Sequence, residues 1–159
     1  MKNRNRKILF TAVMLIVVTV LSLLCFTACG DKKGKGDVTV VIAYADGAQE
    51  YYVSEKDVDG EGVMPIMLYL KEKKGLNFVT TEDPIYGAFV NEVGGLKPDA
   101  TKHEYISIYT SVAKDKDVSK DATTVEYKGT TLTSTGRGIS TMSVEPDAII
   151  YFVILTYIK

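Results

Sequence analysis

His103 is the one histidine of this 159-residue sequence, so it carries any conventional acid–base chemistry at neutral pH. General-base and triad mechanisms need such a histidine beside a nucleophile, and metal sites need a second ligand. The sequence contains no Gly-x-Ser-x-Gly elbow, no HExxH helix and no phosphate-binding glycine loop to accompany it. We therefore interpret His103 as a surface residue at the start of a strand, and we expect a protein that is not an enzyme.

Alternating acidic residues raise the question of a calcium site. Asp57, Asp59 and Glu61 precede Gly62 with the spacing of oxygen ligands in the first half of a calcium-binding loop. Such a loop needs a bidentate glutamate at its twelfth position, and Leu68 stands there. We favour an acidic segment that stabilises the start of a following helix. No metal and no cofactor are expected.

Cys29 gives the most specific chemical signal. A basic segment, Met1 to Lys7, precedes an apolar run from Ile8 to Phe26, and Thr27-Ala28 comes directly before Cys29. This pattern resembles the lipobox of bacterial lipoproteins, with Phe26 where leucine is usual. The resemblance implies cleavage before Cys29 and attachment of diacylglycerol to its thiol. Residues 1–28 are thus predicted to be a signal peptide, and the protein is expected on the extracellular face of the cell membrane.

An uncleaved membrane anchor is the alternative, because the apolar run is about 19 residues long and can cross a bilayer at about 1.5 Å per residue. Both alternatives place the folded part outside the cytoplasm. Residues 30–37 contain no apolar side chain, so residues 29–37 are predicted to be a flexible tether. One domain is predicted over residues 38–159, a typical single-domain length.

The charge balance narrows the class of partner. Four of the 19 Lys and Arg residues precede residue 29, and the remaining 15 are outnumbered by all 20 Asp and Glu residues. A nucleic-acid ligand requires a positive surface, so we exclude one. Cys29 would be the one cysteine of the mature chain, which excludes an internal disulfide.

The elements that position these residues are strands around one helix. Val38 to Ala45 is β-rich, and Asp46-Gly47 predicts a hairpin turn back into a strand over 51–54. Pro65 in a first turn, apolar residues at helical spacing and lysines ahead of Gly75 predict a helix over 62–75. Further strands are predicted over 77–81, 87–93, 104–112, 124–127, 130–133 and 148–158.

Strand parity then distinguishes two faces. Ile106, Ile108 and Val112 fall on one face of the strand over 104–112, which we expect to be core. Tyr105 and Tyr109 fall on the other face, which we expect to be exposed. Tyr151 and Tyr157 share one parity in the last strand and extend this row if the two strands pair. The four tyrosines are our predicted ligand-binding residues.

Tyrosine is also an ordinary strand residue, so packing in the core or at its rim is the alternative role for this row. In that case the segment 113–136 folds over Tyr105 and Tyr109. The ligand site is then expected among the loops around Gly94-Gly95 and Gly136-Arg137-Gly138.

The order of these segments resembles a known family. Lys71 to Gly75 ends the helix, and the segments Ile85 to Leu96 and Gly138 to Phe152 follow it. Together with the opening hairpin, they look like the transcobalamin-like C-terminal domain family. The resemblance implies an α+β fold, a β-grasp-like mixed sheet with one main helix. It also implies a module found on lipoproteins and surface proteins, which in transcobalamins forms part of the cobalamin site.

These observations converge on a membrane-anchored extracellular lipoprotein that acts as a non-catalytic ligand-binding or adhesion module. Its expected partners are the membrane, through lipid on Cys29, and either a corrinoid-like small molecule or a cell-surface protein. The alternative is a structural spacer or accessory subunit of a larger surface complex.

Overall fold

A computed structural model describes residues 32–157. The predicted signal peptide and the predicted lipid attachment at Cys29 lie outside the described residues, as do the first residues of the tether. Between residues 32 and 157, no helix is both long enough and apolar enough to span a membrane.

The described residues form eight strands and one α-helix. The elements are β1 (Val38–Tyr44), β2 (Gly47–Val53), α1 (Val63–Lys74), β3 (Phe78–Thr81), β4 (Phe89–Val93), β5 (Glu104–Thr110), β6 (Thr124–Tyr127), β7 (Thr130–Ser134) and β8 (Ile149–Thr156). Single 3₁₀ turns occur at Glu55–Asp57, Ala100–Lys102, Ala113–Asp115 and Ile139–Thr141.

Six of the strands make one mixed sheet in the order β2-β1-β8-β5-β7-β6, and β3 and β4 pair separately. β8 is central: it pairs with β1 in parallel and with β5 antiparallel over seven residue pairs. The contact between β5 and β7 is much shorter, since it joins only Tyr109 to Ser134 and Thr110 to Thr133. The sheet curves into a half-barrel.

Helix α1 begins and ends where the sequence predicts it. Gly62 precedes it with a φ of 89°, and the Val63 amide donates to the Met142 carbonyl at 3.1 Å. A Cβ on Gly62 would lie 2.6 Å from that same carbonyl oxygen, so only glycine fits there. At the other end Gly75 is left-handed, and the Leu76 amide donates to the Leu70 carbonyl at 3.1 Å.

The core lies between α1 and one face of the sheet. Val63, Ile66, Met67 and Leu70 of the helix share a single apolar cluster with alternate residues of three central strands. Those strand residues are Val38, Val40 and Ile42 of β1, Ile106 and Ile108 of β5, and Ile150, Phe152 and Ile154 of β8. The predicted core face of β5 is therefore confirmed, as are the α+β class, the mixed sheet and the single main helix of the described residues.

The opening hairpin differs from its prediction in one respect. Gly47 is opposite Tyr44, so the turn residues are Ala45 and Asp46, and β2 starts four residues earlier than expected. The side chains of Ala48 and Gln49 are exposed. Backbone pairing with β1 holds this segment as a strand. Because its side chains need not be buried, they show no apolar pattern that would predict the strand.

The core position of Met67 can be tested against its neighbour on the same helix. Met67 is fully buried, whereas Leu68 is 45% exposed. We expect Met67→Asp to unfold the domain, because an unpaired buried carboxylate costs several kcal/mol. Circular dichroism at 25 °C should show loss of native β signal for Met67→Asp and retention for Leu68→Asp. Equal unfolding of both variants would contradict the assigned core face.

Candidate functional site

The structure separates the four predicted tyrosines into two pairs. Tyr109 lies opposite Tyr151 in the β5–β8 ladder, and their rings meet edge to face with centroids 6.2 Å apart. Tyr105 and Tyr157 lie at the other end of the two strands and are 43% and 60% exposed. The predicted row therefore exists along the sheet, but its two halves have different surroundings.

The exposure predicted for Tyr109 is wrong. This side chain is only 2% exposed, and its hydroxyl is 2.9 Å from the Thr123 hydroxyl in the segment that leads into β6. Tyr127 of β6 lies with its ring centroid 5.5 Å from that of Tyr151. The β6–β7 hairpin thus folds over this half of the row, which is the packing alternative. A role of any of the four tyrosines in ligand binding stays a prediction.

Glu50 connects the two edges of the half-barrel. The Lys128 ammonium, in the β6–β7 turn, lies 2.6 Å from one Glu50 oxygen and 2.8 Å from the other, and the Tyr52 hydroxyl donates to the same carboxylate. Burial alone would raise the pKa of Glu50, but the hydrogen bonds from Lys128 and Tyr52 lower it to about 2. β2 and β6 are the outermost strands of the sheet, so this ion pair links the two outer edges of the curved sheet.

Tyr127 lies next to this ion pair. Its hydroxyl is buried without a hydrogen bond of standard geometry, so the Glu50 carboxylate acts on it as a neighbouring negative charge. Burial and this charge together raise the pKa of Tyr127 well above its ordinary value of 10.0. Tyr127 therefore stays neutral at physiological pH, and it completes the cover over Tyr151.

The candidate site is an open groove of about 780 Å³ beside the first half of β5. β5 forms one wall through Glu104 to Ile108, and the segment 86–91 around the start of β4 forms the opposite wall. Thr135 to Gly138 line one end, and Lys97 and Pro98 also contribute. Its volume is within the range of small-ligand and peptide sites.

Exposed aromatic side chains concentrate in this groove. Tyr105 comes from β5, whereas Tyr86 and Phe89 come from the opposite wall and are 55% and 49% exposed. The rings of Tyr86 and Phe89 lie with centroids 6.3 Å apart. Large exposed aromatics grouped in a concavity are typical of contact sites rather than of ordinary surface. Of the four predicted tyrosines, Tyr105 is the one that lines the groove.

Gly138 lets the loop at one end of the groove approach the wall formed by segment 86–91. The Gly138 amide donates to the Tyr86 carbonyl at 2.6 Å, and the next amide, from Ile139, donates to the Ala88 carbonyl at 2.8 Å. A Cβ on Gly138 would lie 2.4 Å from the Tyr86 carbonyl oxygen. The Gly136-Arg137-Gly138 loop, predicted as the alternative site, thus lines the groove. Gly94-Gly95, the other predicted loop, is not part of its lining.

Arg137 is held at its end of the groove by a buried carboxylate. Asp115 is 1% exposed; its Oδ2 accepts the Ser143 amide at 2.6 Å, and its Oδ1 lies 3.8 Å from Arg137 Nη1. Half of the Arg137 side chain is exposed to solvent. The sequence gives no signal for this buried carboxylate, because Lys114 to Asp117 is a run of four charged residues and local sequence does not show which of them is buried.

A second cavity, of about 460 Å³, lies beside the acidic segment before α1. Glu55, Glu61 and Lys114 line it together with backbone and side chains of residues 140–144. Within residues 32–157 no group of three or more His, Cys, Asp or Glu side chains is arranged to hold a metal ion.

Comparisons with known proteins concern the fold. No protein-family model matches the chain, and no curated protein matches it in sequence. A solved structure of a "putative metal binding protein" from Ruminococcus gnavus is similar, with a TM-score of 0.50 and 12% identity over 80% of this chain and 100% of that chain. Haptocorrin in complex with Cbi has a TM-score of 0.45 and 13% identity over 84% of this chain. The present chain spans 29% of the haptocorrin chain. The Ruminococcus gnavus structure supports the fold alone.

The Glu50 ion pair predicts a specific pH dependence of stability. A carboxylate whose pKa falls from 4.5 to about 2 on folding stabilises the folded state above pH 4.5, and this stability is lost as the pH falls toward 2. We expect Glu50→Gln to remove that part of the decline between pH 5 and pH 2, measured by urea unfolding. Glu72→Gln, on the exposed face of α1, is the control. A decline unchanged in Glu50→Gln would exclude a stabilising role for the ion pair.

Proposed function

We propose that this protein is a non-catalytic ligand-binding module, held on the outer face of the cell membrane by lipid on Cys29. The observation that carries the binding role is the open groove of 780 Å³ beside β5, with Tyr86, Phe89 and Tyr105 exposed in it. The Thr27-Ala28-Cys29 pattern supports the anchor.

The groove is better suited to binding than to catalysis. Ser107 is the one serine of its lining, and Glu104, the one acidic residue, accepts the Asp99 amide through its carboxylate at 2.9 Å. Activating a serine requires a base within hydrogen-bond reach, commonly a histidine. His103 is exposed and does not line the groove.

We further propose that the module is a β-grasp-like, transcobalamin-like C-terminal domain. The order of opening hairpin, helix ending at Gly75 and returning central strand supports this assignment. Under it, the ligand is a corrinoid-like small molecule or a cell-surface protein. A structural spacer in a larger surface complex is the alternative, and it requires no ligand in the groove.

Tyr105 and Tyr157 form a matched pair for testing the groove. Both are exposed tyrosines at the same end of the sheet, but only Tyr105 lines the groove. With cobinamide as the first probe, and haem and glycans next, we expect Tyr105→Ala to weaken binding by about 1 to 3 kcal/mol without changing the melting temperature. Calorimetric titration of the full chain in detergent measures this.

Tyr157→Ala should bind the same probe as the wild type does. Equal losses in both variants would exclude the groove as the site. Absence of binding by every probe, including the peptides described below, would favour the spacer.

The anchor is tested at Cys29. We expect the mature protein to begin at a lipid-modified Cys29 and to partition into detergent, because two acyl chains suffice for stable anchoring. Cys29→Ala should abolish both lipidation and cleavage, as seen by mass spectrometry of the membrane fraction. Cys25→Ala is the control within the apolar run and should be processed normally. Intact Met1 on the membrane-bound wild type would indicate the uncleaved anchor instead.

A further inference from the structure

We infer that the free edge of β5 binds an extended peptide segment of another protein by adding it to the sheet as a strand. This inference rests on the proposed binding function, and it specifies the ligand class. The site is the same groove, where backbone groups of β5 bind the peptide and side chains of the two walls select among peptides.

The register of the sheet shows which backbone groups are available. The Thr135 amide donates to the Ile108 carbonyl at 2.9 Å, so the N–H and C=O of Ile108 are directed away from β8. The orientation of these groups alternates along a strand, so those of Ile106 are directed to the same side. Within residues 32–157, β5 has a partner strand on that side only at Tyr109 and Thr110. At Ile106, therefore, the edge of β5 faces the groove and no strand is paired with it.

This edge lacks the devices that usually protect a sheet edge. Natural sheets block edges with lysine, proline, bulges or very short strands. The segment Glu104 to Ile108 contains no lysine and no proline, and its pairing with β8 is regular. Its one charge, on Glu104, is held by the Asp99 amide. By contrast, the outermost strands β2 and β6 carry Glu50 and Glu126 in mid-strand.

The groove also offers contacts for alternate side chains of such a peptide. Tyr105 lies on the β5 wall, and Phe89 and Tyr86 lie on the opposite wall. An added strand presents successive side chains to opposite faces, and main-chain hydrogen bonds supply the affinity while side-chain contacts supply selectivity. The Glu104 amide already donates to the Asp99 carbonyl at 3.2 Å, so the available edge extends from the Glu104 carbonyl to Ser107, about 10 Å at about 3.3 Å per residue. A segment of three or four residues fits this length.

The charged side chains of the lining already have partners within the protein. Lys97 Nζ lies 3.9 Å from Glu92 Oε2, and Arg137 Nη1 lies 3.8 Å from Asp115 Oδ1. Glu104, the one acidic side chain of the lining, accepts the Asp99 amide. The lining therefore offers no excess charge, and its exposed aromatic side chains favour a peptide with apolar or aromatic residues.

The test uses the full-length protein in detergent and a random library of soluble seven-residue peptides. Peptides selected on the wild type are synthesised with a single N-methyl group at each position in turn. We expect methylation of alternate residues to weaken binding about tenfold, since each lost hydrogen bond leaves a buried group unpaired. Methylation of the intervening residues should change affinity less than about twofold, because their N–H groups point to solvent.

Two variants connect the peptide to the groove. Tyr105→Ala should weaken the selected peptides, whereas Tyr157→Ala should not. The methylation scan needs no change in the protein, so misfolding of a variant does not affect it.

The outcomes separate this inference from the proposed function. Selected peptides that show no alternation, or a library that yields no peptide dependent on Tyr105, would overturn strand addition. Cobinamide binding that depends on Tyr105, together with either of those results, would leave the proposed function standing and assign the groove to a small molecule. Failure of the peptides and of cobinamide, haem and glycans alike would overturn both proposals.

Discussion

The fold depends on one constraint: β8 is apolar on both faces and must be covered on both. From Ile150 to Leu155 every side chain of this strand is buried or half-buried. Helix α1 covers one face through Ile66, Met67 and Leu70. Burying the apolar side chains of the other face is favourable as well. No second α-helix exists in residues 32–157 to cover that face.

The β6–β7 hairpin provides that second cover, and it does so by curving. Tyr127 reaches Tyr151, and Lys128 reaches Glu50 on the far edge strand, so the sheet closes into a half-barrel. This curvature explains why β7 pairs with β5 through only two residue pairs. A strand that bends over Tyr109 cannot also follow β5 back to Glu104. The free edge of β5 is therefore a consequence of covering the tyrosine face.

The open groove and the β6–β7 hairpin that covers Tyr109 thus both follow from the path of β7. After Thr135, which still donates to Ile108 of β5, the chain turns away, and the Gly138 and Ile139 amides donate to the carbonyls of Tyr86 and Ala88. The space between that segment and β5 stays open, with aromatic side chains on both walls and Arg137 at one end. The proposed binding site is thus bounded by backbone segments that are hydrogen-bonded within the fold.

The sequence by itself determined the elements of this protein. Alternation placed Ile106 and Ile108 in the core, the Pro65 and Gly75 signals bounded α1, and the apolar segment 148–158 was predicted as the strand that became β8. Each of these signals is local, since it depends on residues a few positions apart. Tertiary structure alone decided that Tyr109 is covered while Tyr105 is exposed, that Asp115 is buried beside Arg137, and that an edge of β5 is free. These features depend on residues far apart in the chain, such as Lys128 and Glu50, whose contact follows from sheet curvature and leaves no periodic pattern in the sequence.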